Sequence, residues 1–335
     1  MITRPRYLVV GTGSIARRHM ANLKSLFPTA EVGCVSASGR TVSAAETPAD
    51  VIYETLEEAI ATRPVFAIIA SPAPLHVSQA SQLLEADIPV LVEKPLASNI
   101  ENFRASGEVL LSRQDKVEVG YNLRYLSSAQ KFKQLLDNGI IGRVHSVMID
   151  VGQYLPDWRP GTDYRKNVTA RRELGGGVLL ELSHELDYLG WIFGRFDTAY
   201  GVVTNSGTLD IEVEDRVDAI LRRRSDGVVV YLHMDMLQRA VQRTCKVIGE
   251  TGNLLWNLAE NSICVQRSAR SSEVLFEDPV YDRNAMYLAE LAHFSQVAAG
   301  TATPRVSLEE ALQVLRLVEA LKLSAERGEV VSIGA

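Results

Sequence analysis

The fold is decided close to the N-terminus, by the stretch YLVVGTGSIA at residues 7–16. A short β-rich run ends in a glycine turn, and residues 14–27 then place apolar side chains at helical spacing. The first glycine of such a turn permits a tight bend, and the second lets the main chain approach a pyrophosphate. Free N–H groups at the helix N-terminus favour the same anion. We therefore interpret Gly11 and Gly13 as part of a dinucleotide site, with a purely structural turn as the alternative.

Strands and helices alternate from this turn to about residue 120. Further strands are predicted at 31–35, 65–70, 89–92 and 117–120, and further helices at 56–61, 75–86 and 99–111. Alternation of this kind implies right-handed crossovers and a parallel sheet. We predict a Rossmann-type, doubly wound α/β domain over residues 1–122.

The pattern changes beyond residue 122. A helix at 129–138 and a long helix at 177–193 accompany strands at 144–153, 199–205, 216–224, 228–236, 243–249, 253–256 and 262–266. Glycine-containing turns separate several of these strands, as in antiparallel sheets. We predict an α+β domain over residues 123–335 with a large, mostly antiparallel open sheet. Its closing helices, near 283–327, are able to pack back toward the first domain.

Composition excludes several classes of protein. The 335 residues suit about two domains. A net charge of −6 and only short basic clusters argue against a nucleic-acid partner. Cys34, Cys245 and Cys264 are far apart, so neither a disulfide framework nor a metal site is predicted. Because no apolar run is long enough for a bilayer and no secretory signal is visible, we expect a cytoplasmic protein without a membrane partner.

The end of the second strand bears on the choice of cofactor. A carboxylate there would bind the ribose of NAD. The strand instead runs into Ser36, Ser38 and Arg40, with no acid among them. Hydroxyls and a guanidinium suit a 2′-phosphate, so we expect NADP as the preferred cofactor and NAD as the alternative. An exposed loop arginine without such a role is the competing interpretation of Arg40.

Two further segments carry candidate chemistry. The strand at 89–92 delivers Glu93, Lys94 and Pro95 at its carboxyl end, where ligands of open α/β sheets bind. A lysine there can stabilise negative charge on a substrate oxygen, unless it only makes a surface salt bridge. In the second segment a glycine run at 175–177 opens a helix that carries Glu181, His184 and Asp187 at every third position. This spacing predicts one shared face, with the histidine as a general base or as an ordinary satisfied side chain.

Five motifs occur in order along the whole chain: Gly11–Ile15 with His19, Ser71–Pro72 with His76, Glu93–Pro95, the glycine run leading to His184, and residues 306–311. Together they resemble the Gfo/Idh/MocA oxidoreductases, relatives of glucose–fructose oxidoreductase and inositol dehydrogenase. The resemblance implies an active site between two domains, with Lys94 on the substrate and His184 as the acid/base. An acid four residues before the histidine is common in this family. Leu180 stands there instead, so Glu181 is the candidate for a third catalytic residue.

The predicted site residues fall into two further groups. The predicted cofactor-binding residues, which include the three after the second strand, are Gly11, Gly13, Ser14, Ile15, Ser36, Ser38, Arg40, Ser71, Pro72, His76, Glu93, Lys94 and Asn122. Beside Lys94 and His184, the substrate set comprises Arg124, Tyr154, Trp158, Arg159 and Tyr164. Aromatic faces with charged groups suit a polyhydroxylated ligand, although any one of these residues could belong to a structural loop. The loop around Trp158 also resembles members from bacterial surface-sugar or nonulosonic acid metabolism.

We therefore expect an NAD(P)-dependent oxidoreductase that transfers a hydride between nicotinamide and a secondary hydroxyl of a sugar, sugar acid or nucleotide sugar. One alternative is an enzyme that recycles NAD during elimination or glycoside cleavage. A cofactor-binding sensor without catalysis is the other, since fold does not determine function. The open sheet of the second domain leaves one face without helices, so a homodimer or homotetramer is expected.

Overall fold

The structure, a computed structural model, describes residues 4–43, 45, 47–268 and 271–334. The chain divides into two compact units. The first comprises Met1–Asn122 and Arg283–Leu312, and the second comprises Leu123–Asp282 and Gln313–Ala335.

The first unit contains a six-stranded parallel sheet. Its strands are β1 (Arg6–Val10), β2 (Glu31–Val35), β3 (Val51–Tyr53), β4 (Phe66–Ile69), β5 (Val90–Glu93) and β6 (Val117–Gly120). Its helices are α1 (Ser14–Leu26), α2 (Leu56–Ala61), α3 (His76–Glu85), α4 (Ile100–Arg104) and α5 (Glu108–Ser112). The strand order β3-β2-β1-β4-β5-β6, with every neighbouring pair parallel, is that of a Rossmann sheet and confirms the predicted fold class.

The core of this unit joins the sheet to two helices that are far apart in sequence. Helix α1 buries Ala16, Met20 and Leu23, which recur at helical spacing. The later helix α9 (Asn284–Ala298) contributes Leu291 and Phe294 to the same apolar cluster. Complete burial of side chains this large stabilises the fold by about 1.5–3 kcal/mol each. Residues from the end of the chain therefore complete the first unit.

The second unit contains a nine-stranded mixed sheet. Its strands are β7 (Val144–Gly152), β8 (Thr198–Thr204), β9 (Arg216–Arg222), β10 (Val229–Asp235), β11 (Gln242–Gly249), β12 (Asn253–Asn257), β13 (Ser262–Ser268), β14 (Ser271–Glu277) and β15 (Val331–Ser332). Helix α6 (Ser127–Asp137) precedes β7, helices α7 (Val178–Glu181) and α8 (Ser183–Phe193) lie between β7 and β8, and α10 (Leu308–Arg327) contains the third boundary between the units. The strand order is β14-β13-β12-β11-β7-β10-β9-β8-β15. Only β7 and β10 pair in parallel, so the mostly antiparallel sheet is confirmed.

One face of this sheet is exposed at its centre. Along β9 and β10, buried residues alternate with accessible ones. Large apolar side chains are therefore exposed on four neighbouring strands, namely Met148, Tyr200, Val202, Ile220 and Tyr231. Between them, His233 lies 2.7 Å from carboxylate oxygens of both Asp218 and Asp235.

Several local predictions were wrong. Strands β3, β14 and β15 were not predicted; β3 and β15 have only three and two residues and carry little periodic signal, whereas β14 has seven. The predicted helix at 99–111 is interrupted before Gly107, where an added Cβ would approach the Phe103 carbonyl to 2.6 Å. The predicted helix at 177–193 divides at Leu182, whose φ of −96° and ψ of 24° leave the helical range.

Candidate active site

The glycine turn after β1 brings three parallel strands together. Gly11 has a φ of +122°, and its N–H donates to the carbonyl of Val35 at the end of β2, at 2.8 Å. A Cβ at this position would lie 2.5 Å from the carbonyl oxygen of Ala70, just after β4. Only glycine accommodates both the dihedral angle and the close approach.

The N-terminus of α1 is open for an anion. Gly13 is the N-cap, and no side chain caps the helix. The first turn carries no acid, and a Cβ at Gly13 would meet nothing within 4 Å. The N–H groups of Ser14 and Ile15 have no acceptor within the helix, because the first four donors of any α-helix lack one. This arrangement fits the pyrophosphate of a dinucleotide.

The loop after β2 reaches the glycine turn. The Ser36 and Ser38 hydroxyls lie 3.4 Å apart. The Arg40 guanidinium donates to the Thr12 hydroxyl, also at 3.4 Å. The structure therefore brings Arg40 beside the glycine turn, where a cofactor's adenosine half would approach a Rossmann sheet.

Lys94 follows β5 on a main chain that is held by a buried acid. The Lys94 N–H donates to Glu93 Oε2 at 3.1 Å, and Glu93 Oε1 lies 2.6 Å from Nε2 of His19 on α1. Burial by itself would raise the pKa of Glu93. The hydrogen bond and charge of His19, together with Lys94, instead lower that pKa below its usual range. Glu93 is therefore an ionised acceptor between α1 and the Lys94 main chain.

His76 joins the loops that follow β4 and β5. This buried residue begins α3, and its Nδ1 lies 2.8 Å from the carbonyl oxygen of Pro95. Its Nε2 lies 2.8 Å from the carbonyl oxygen of Ser71. The predicted cofactor residues Ser71, His76 and Lys94 are thus brought together by main-chain contacts of one imidazole.

An acidic cluster lies behind Glu93. Glu118 on β6 and Glu290 on α9 are both fully buried, and neither oxygen of Glu290 has a hydrogen-bond partner within the described part of the chain. Burial, with the nearby charges of Glu93 and Glu118, raises the pKa of Glu290 well above its usual value. The side chain of Asn122 forms a hydrogen bond with Tyr287, which also lies on α9. Sequence reasoning missed Glu118 and Glu290, although a lone acid in the apolar run 117–120 is a signal.

The glycine run of the second unit packs against two other segments. A Cβ at Gly176 would overlap the carbonyl group of Val168, and one at Gly177 would overlap the side chain of Glu214. The Gly177 N–H donates to the Thr169 carbonyl at 3.1 Å, and the Val178 N–H donates to the Glu214 carbonyl at 3.1 Å. These contacts set the start of α7.

Glu181 and His184 lie on either side of a helix break. Glu181 is the last residue of α7, and His184 is the second residue of α8. The prediction that Glu181, His184 and Asp187 lie on one helix was wrong for Glu181, because the helix is interrupted at Leu182. His184 and Asp187 both lie on α8, three residues apart. His184 and Glu181 remain partly accessible, whereas Asp187 is buried.

Two arginines hold α8. Arg124 donates from Nε and Nη2 to the two oxygens of Asp187, at 3.0 and 2.7 Å, and both side chains are almost fully buried. Arg243 donates in the same way to Glu185, at 2.7 and 3.2 Å. The structure therefore places Arg124, a predicted substrate residue, in a buried ion pair with the helix that carries His184. Sequence reasoning missed Arg243 and Glu185.

The aromatic loop after β7 forms part of a small pocket. Its lining residues are Leu155, Trp158, Arg159, Thr162, Tyr164, Asn167 and Thr169. Three predicted substrate residues, Trp158, Arg159 and Tyr164, are thereby brought together. Tyr154 lies apart from this set, with the Arg239 guanidinium 3.5 Å above its ring.

No described helix is long and apolar enough to cross a membrane. Among the described residues, no group of three or more histidine, cysteine, aspartate or glutamate side chains is placed to hold a metal ion.

Two family profiles match the chain. The profile described as an oxidoreductase family with an NAD-binding Rossmann fold matches residues 5–121. The profile of the Gfo/Idh/MocA C-terminal domain matches residues 129–255. The two matches coincide with the parallel sheet and with much of the mixed sheet.

Curated proteins of the same kind are similar in sequence. The 1,5-anhydro-D-fructose reductase of Ensifer adhaerens is 25% identical, over 98% of this chain and 98% of that protein. The inositol 2-dehydrogenase of Gluconacetobacter diazotrophicus is 26% identical, over 88% of this chain and 86% of that protein. An uncharacterized oxidoreductase of Synechocystis sp. is 33% identical, over 51% of this chain but only 44% of that protein.

Solved structures share the fold. Levoglucosan dehydrogenase, solved with NADH, superimposes with a TM-score of 0.84 at 18% identity, over 99% of this chain and all of that one. The WlbA dehydrogenase of Bordetella pertussis, solved with NADH and UDP-GlcNAcA, has a TM-score of 0.80 at 23% identity, over 100% of this chain and 99% of that one. Since profiles of one family match both of its halves, the chain belongs to the Gfo/Idh/MocA oxidoreductases, with an NAD-binding Rossmann fold.

Proposed function

We propose that this oxidoreductase transfers a hydride between a nicotinamide cofactor and a secondary hydroxyl of a sugar, sugar acid or nucleotide sugar. The observation that carries the proposal is the carboxyl edge of the parallel sheet. There the glycine turn after β1 and the held Lys94 after β5 are separated by one strand, β4. Ligands of doubly wound sheets bind at this edge.

The first unit holds the cofactor and the reacting oxygen in this proposal. Gly11, Gly13 and the first turn of α1 hold the pyrophosphate. The nicotinamide supplies the hydride acceptor or donor when the cofactor is bound. Lys94 donates a hydrogen bond to the substrate oxygen and stabilises negative charge that develops on it.

The second unit supplies the group that exchanges the proton. In the oxidation direction, His184 takes the hydroxyl proton, and in the reduction direction it returns it. We assign Glu181 the role of orienting this imidazole. The break at Leu182 supports that assignment, because two residues on separate helices are not bound to the spacing of a continuous helix.

The substrate class rests on the loop after β7. Trp158, Arg159 and Tyr164 line one pocket, and aromatic faces beside a guanidinium suit a polyhydroxylated, anionic ligand. The UDP-GlcNAcA bound by the WlbA dehydrogenase is a ligand of that chemistry. Together with the resemblance of the loop, this supports a role in bacterial surface-sugar or nonulosonic acid metabolism.

A cofactor and substrate panel tests the proposal. Purified protein is mixed with NAD or NADP and with sugars, sugar acids or nucleotide sugars, and reduced cofactor is followed by its absorbance. Net accumulation of reduced cofactor is expected for a dehydrogenase. Product without net reduced cofactor would favour the NAD-recycling alternative, and cofactor binding without turnover of any member would favour the sensor.

We propose that the protein prefers NADP to NAD and that Arg40 causes this preference. The support is the absence of an acid after β2 and the contact of Arg40 with Thr12 beside the glycine turn. Arg40→Ala should weaken NADP binding about tenfold, as expected for a lost charge-assisted hydrogen bond, and leave NAD binding unchanged. Equal loss of both cofactors in calorimetric titrations would contradict the preference.

We infer that the protein forms a homodimer or homotetramer through the open sheet face. Exposed apolar side chains such as Ile220 and Tyr231 on adjacent strands make a flat surface that a second copy would cover. Tyr231→Glu should then give a smaller particle by light scattering than the wild type. A wild-type monomer at working concentration would contradict the inference.

We also assign the protein to the cytoplasm. Its three cysteines are free thiols in the structure, and free thiols are typical of a reducing compartment. Fractionation of the source cells should place the protein with cytoplasmic markers.

A further inference from the structure

A buried histidine links the two loops that the proposed reaction depends on. The Ser71 loop (Ser71–Pro72) follows β4, and the Lys94 loop (Lys94–Pro95) follows the neighbouring strand β5. His76 contacts a main-chain carbonyl oxygen in each loop, and both distances are 2.8 Å. Its side chain is 1% exposed, so water does not compete for either contact.

The chemistry of these two contacts requires two protons. A carbonyl oxygen only accepts hydrogen bonds, and a neutral imidazole carries one N–H. If the ring carried only one N–H, its other nitrogen would place a lone pair 2.8 Å from a carbonyl oxygen, and two acceptors repel each other at that distance. Only the imidazolium form donates to Ser71 and Pro95 together.

We propose that His76 is a positioning residue whose two N–H groups tie the Ser71 loop to the Lys94 loop, and that loss of one proton releases one of the loops. The inference rests on the proposed function, because the loop that it positions carries Lys94. His76 has no free nitrogen for a ligand, so it acts through the loops rather than on the substrate.

The groups around His76 place this change below the ordinary pKa of histidine. Burial lowers the pKa of the imidazole, and the positive charge of Lys94 lowers it further. The two carbonyl hydrogen bonds and the negative charge of Glu93, itself paired with His19, act in the opposite direction. The net effect is a pKa below the ordinary histidine value, so the doubly tied state belongs to the acidic side of neutrality.

Two neutral substitutions at His76 each keep one of its two hydrogen bonds to main-chain carbonyl oxygens and remove the other. The amide nitrogen of His76→Asn takes the place of Nδ1 and keeps the tie to Pro95. The amide nitrogen of His76→Gln takes the place of Nε2 and keeps the tie to Ser71. His145→Asn and His145→Gln are matched controls, because His145 is exposed on β7.

The expected result is a split between kinetic constants. His76→Asn should retain kcat and raise the KM for cofactor about tenfold, since the Ser71 loop is released. His76→Gln should retain the KM for cofactor and lower kcat about tenfold, since the Lys94 loop is released. Both variants should lose the part of the wild-type pH dependence that comes from His76, which lies below the ordinary histidine pKa of 6.5.

A measurement on the wild type makes the test independent of folding and of activity. In ¹⁵N-histidine-labelled protein, the His76 ring, assigned by its absence in His76→Asn, should show two protonated nitrogens at low pH and one at high pH. A single N–H across the whole range, or equal effects of the two substitutions on kcat and KM, would overturn the proposal. Unchanged turnover in Lys94→Ala would instead contradict the proposed function and leave the NMR result to decide the role of His76.

Discussion

The two units hold their proposed reactive side chains by different chemistry. The Lys94 loop is held by imidazoles, through His19 with Glu93 and through His76. The helix that carries His184 is held by guanidinium groups, through Arg124 with Asp187 and Arg243 with Glu185. Histidine changes its charge near neutral pH, whereas arginine keeps its charge at any pH at which the protein folds. On the proposal made for His76, the lysine side of the reaction is therefore sensitive to a proton in its framework, whereas the two arginine pairs on the histidine side keep their charge.

A histidine on the open sheet face of the second unit shows the same difference between the two units. His233 lies between two carboxylates, and its hydrogen bond to Asp235, with that to Asp218, raises its pKa to about 9. Burial would raise the pKa of Asp235, but hydrogen bonds from His233 and from Gln238 lower it to about 2. This network stays charged through the neutral range. At neutral pH the second unit thus holds this histidine as a cation.

Removal of the proposed base should have the largest effect. His184→Asn should lower kcat about 10²- to 10⁴-fold, as expected for loss of general acid–base catalysis. Cofactor affinity, measured by titration calorimetry, should be retained, because the glycine turn belongs to the other unit. His145→Asn is the control for a surface histidine. Retained turnover in His184→Asn would remove this residue from the mechanism.

Loss of the proposed oxyanion contact should come next. Lys94→Ala should lower kcat about 10²- to 10³-fold, since a donor aimed at developing charge is lost. The main-chain contact of residue 94 with Glu93 survives this substitution, so the loop should keep its place. Lys116→Ala, on a lysine paired with Asp87, is the control. If kcat is kept while only KM for the substrate rises, Lys94 binds the substrate without stabilising the transition state.

The parts of the proposed site that the sequence predicts depend on local patterns. Gly11 was recognisable because it lies directly between a predicted strand and a predicted helix. Lys94 was recognisable because it follows a buried strand, and the parallel order of the strands places that strand end at the ligand edge. Both residues were recognisable from the few residues that surround them in the sequence.

The parts that were missed depend on contacts between distant residues. The start of α7 is set by a glycine run that packs against Val168 and Glu214, and no helical period contains that information. The ion pair of Arg124 was not predicted, because its partner Asp187 lies 63 residues further on. Glu290 lies on a helix whose place against the parallel sheet is a matter of tertiary packing.

A buried guanidinium pair should matter more for stability than for chemistry. Arg124→Met removes the guanidinium that faces the buried Asp187 carboxylate and should destabilise the protein by about 3–5 kcal/mol. The double variant Arg124→Met with Asp187→Leu should recover most of that loss, because no buried charge remains. Thermal unfolding measures both, with the exposed Arg113→Met as a control expected to change little. A double variant as unstable as the single one would show that packing of Arg124, and not its charge, stabilises the unit.

The smallest expected effect concerns the acidic cluster behind Glu93. The pKa of Glu290 is raised in the folded state, mainly by burial and then by Glu93 and Glu118, so the folded protein holds this proton more tightly than the unfolded chain. Stability should therefore fall as pH rises above the ordinary value of 4.5, and this loss should continue up to the raised pKa. Glu290→Gln, which cannot ionise, should match the wild type at low pH and unfold at a higher temperature near neutral pH. The exposed Glu85→Gln should show no such divergence. If the unfolding temperatures of wild type and Glu290→Gln change in parallel across the pH range, Glu290 is ionised in the folded state at neutral pH. The framework around Lys94 would then be less sensitive to protons than the comparison of the two units implies.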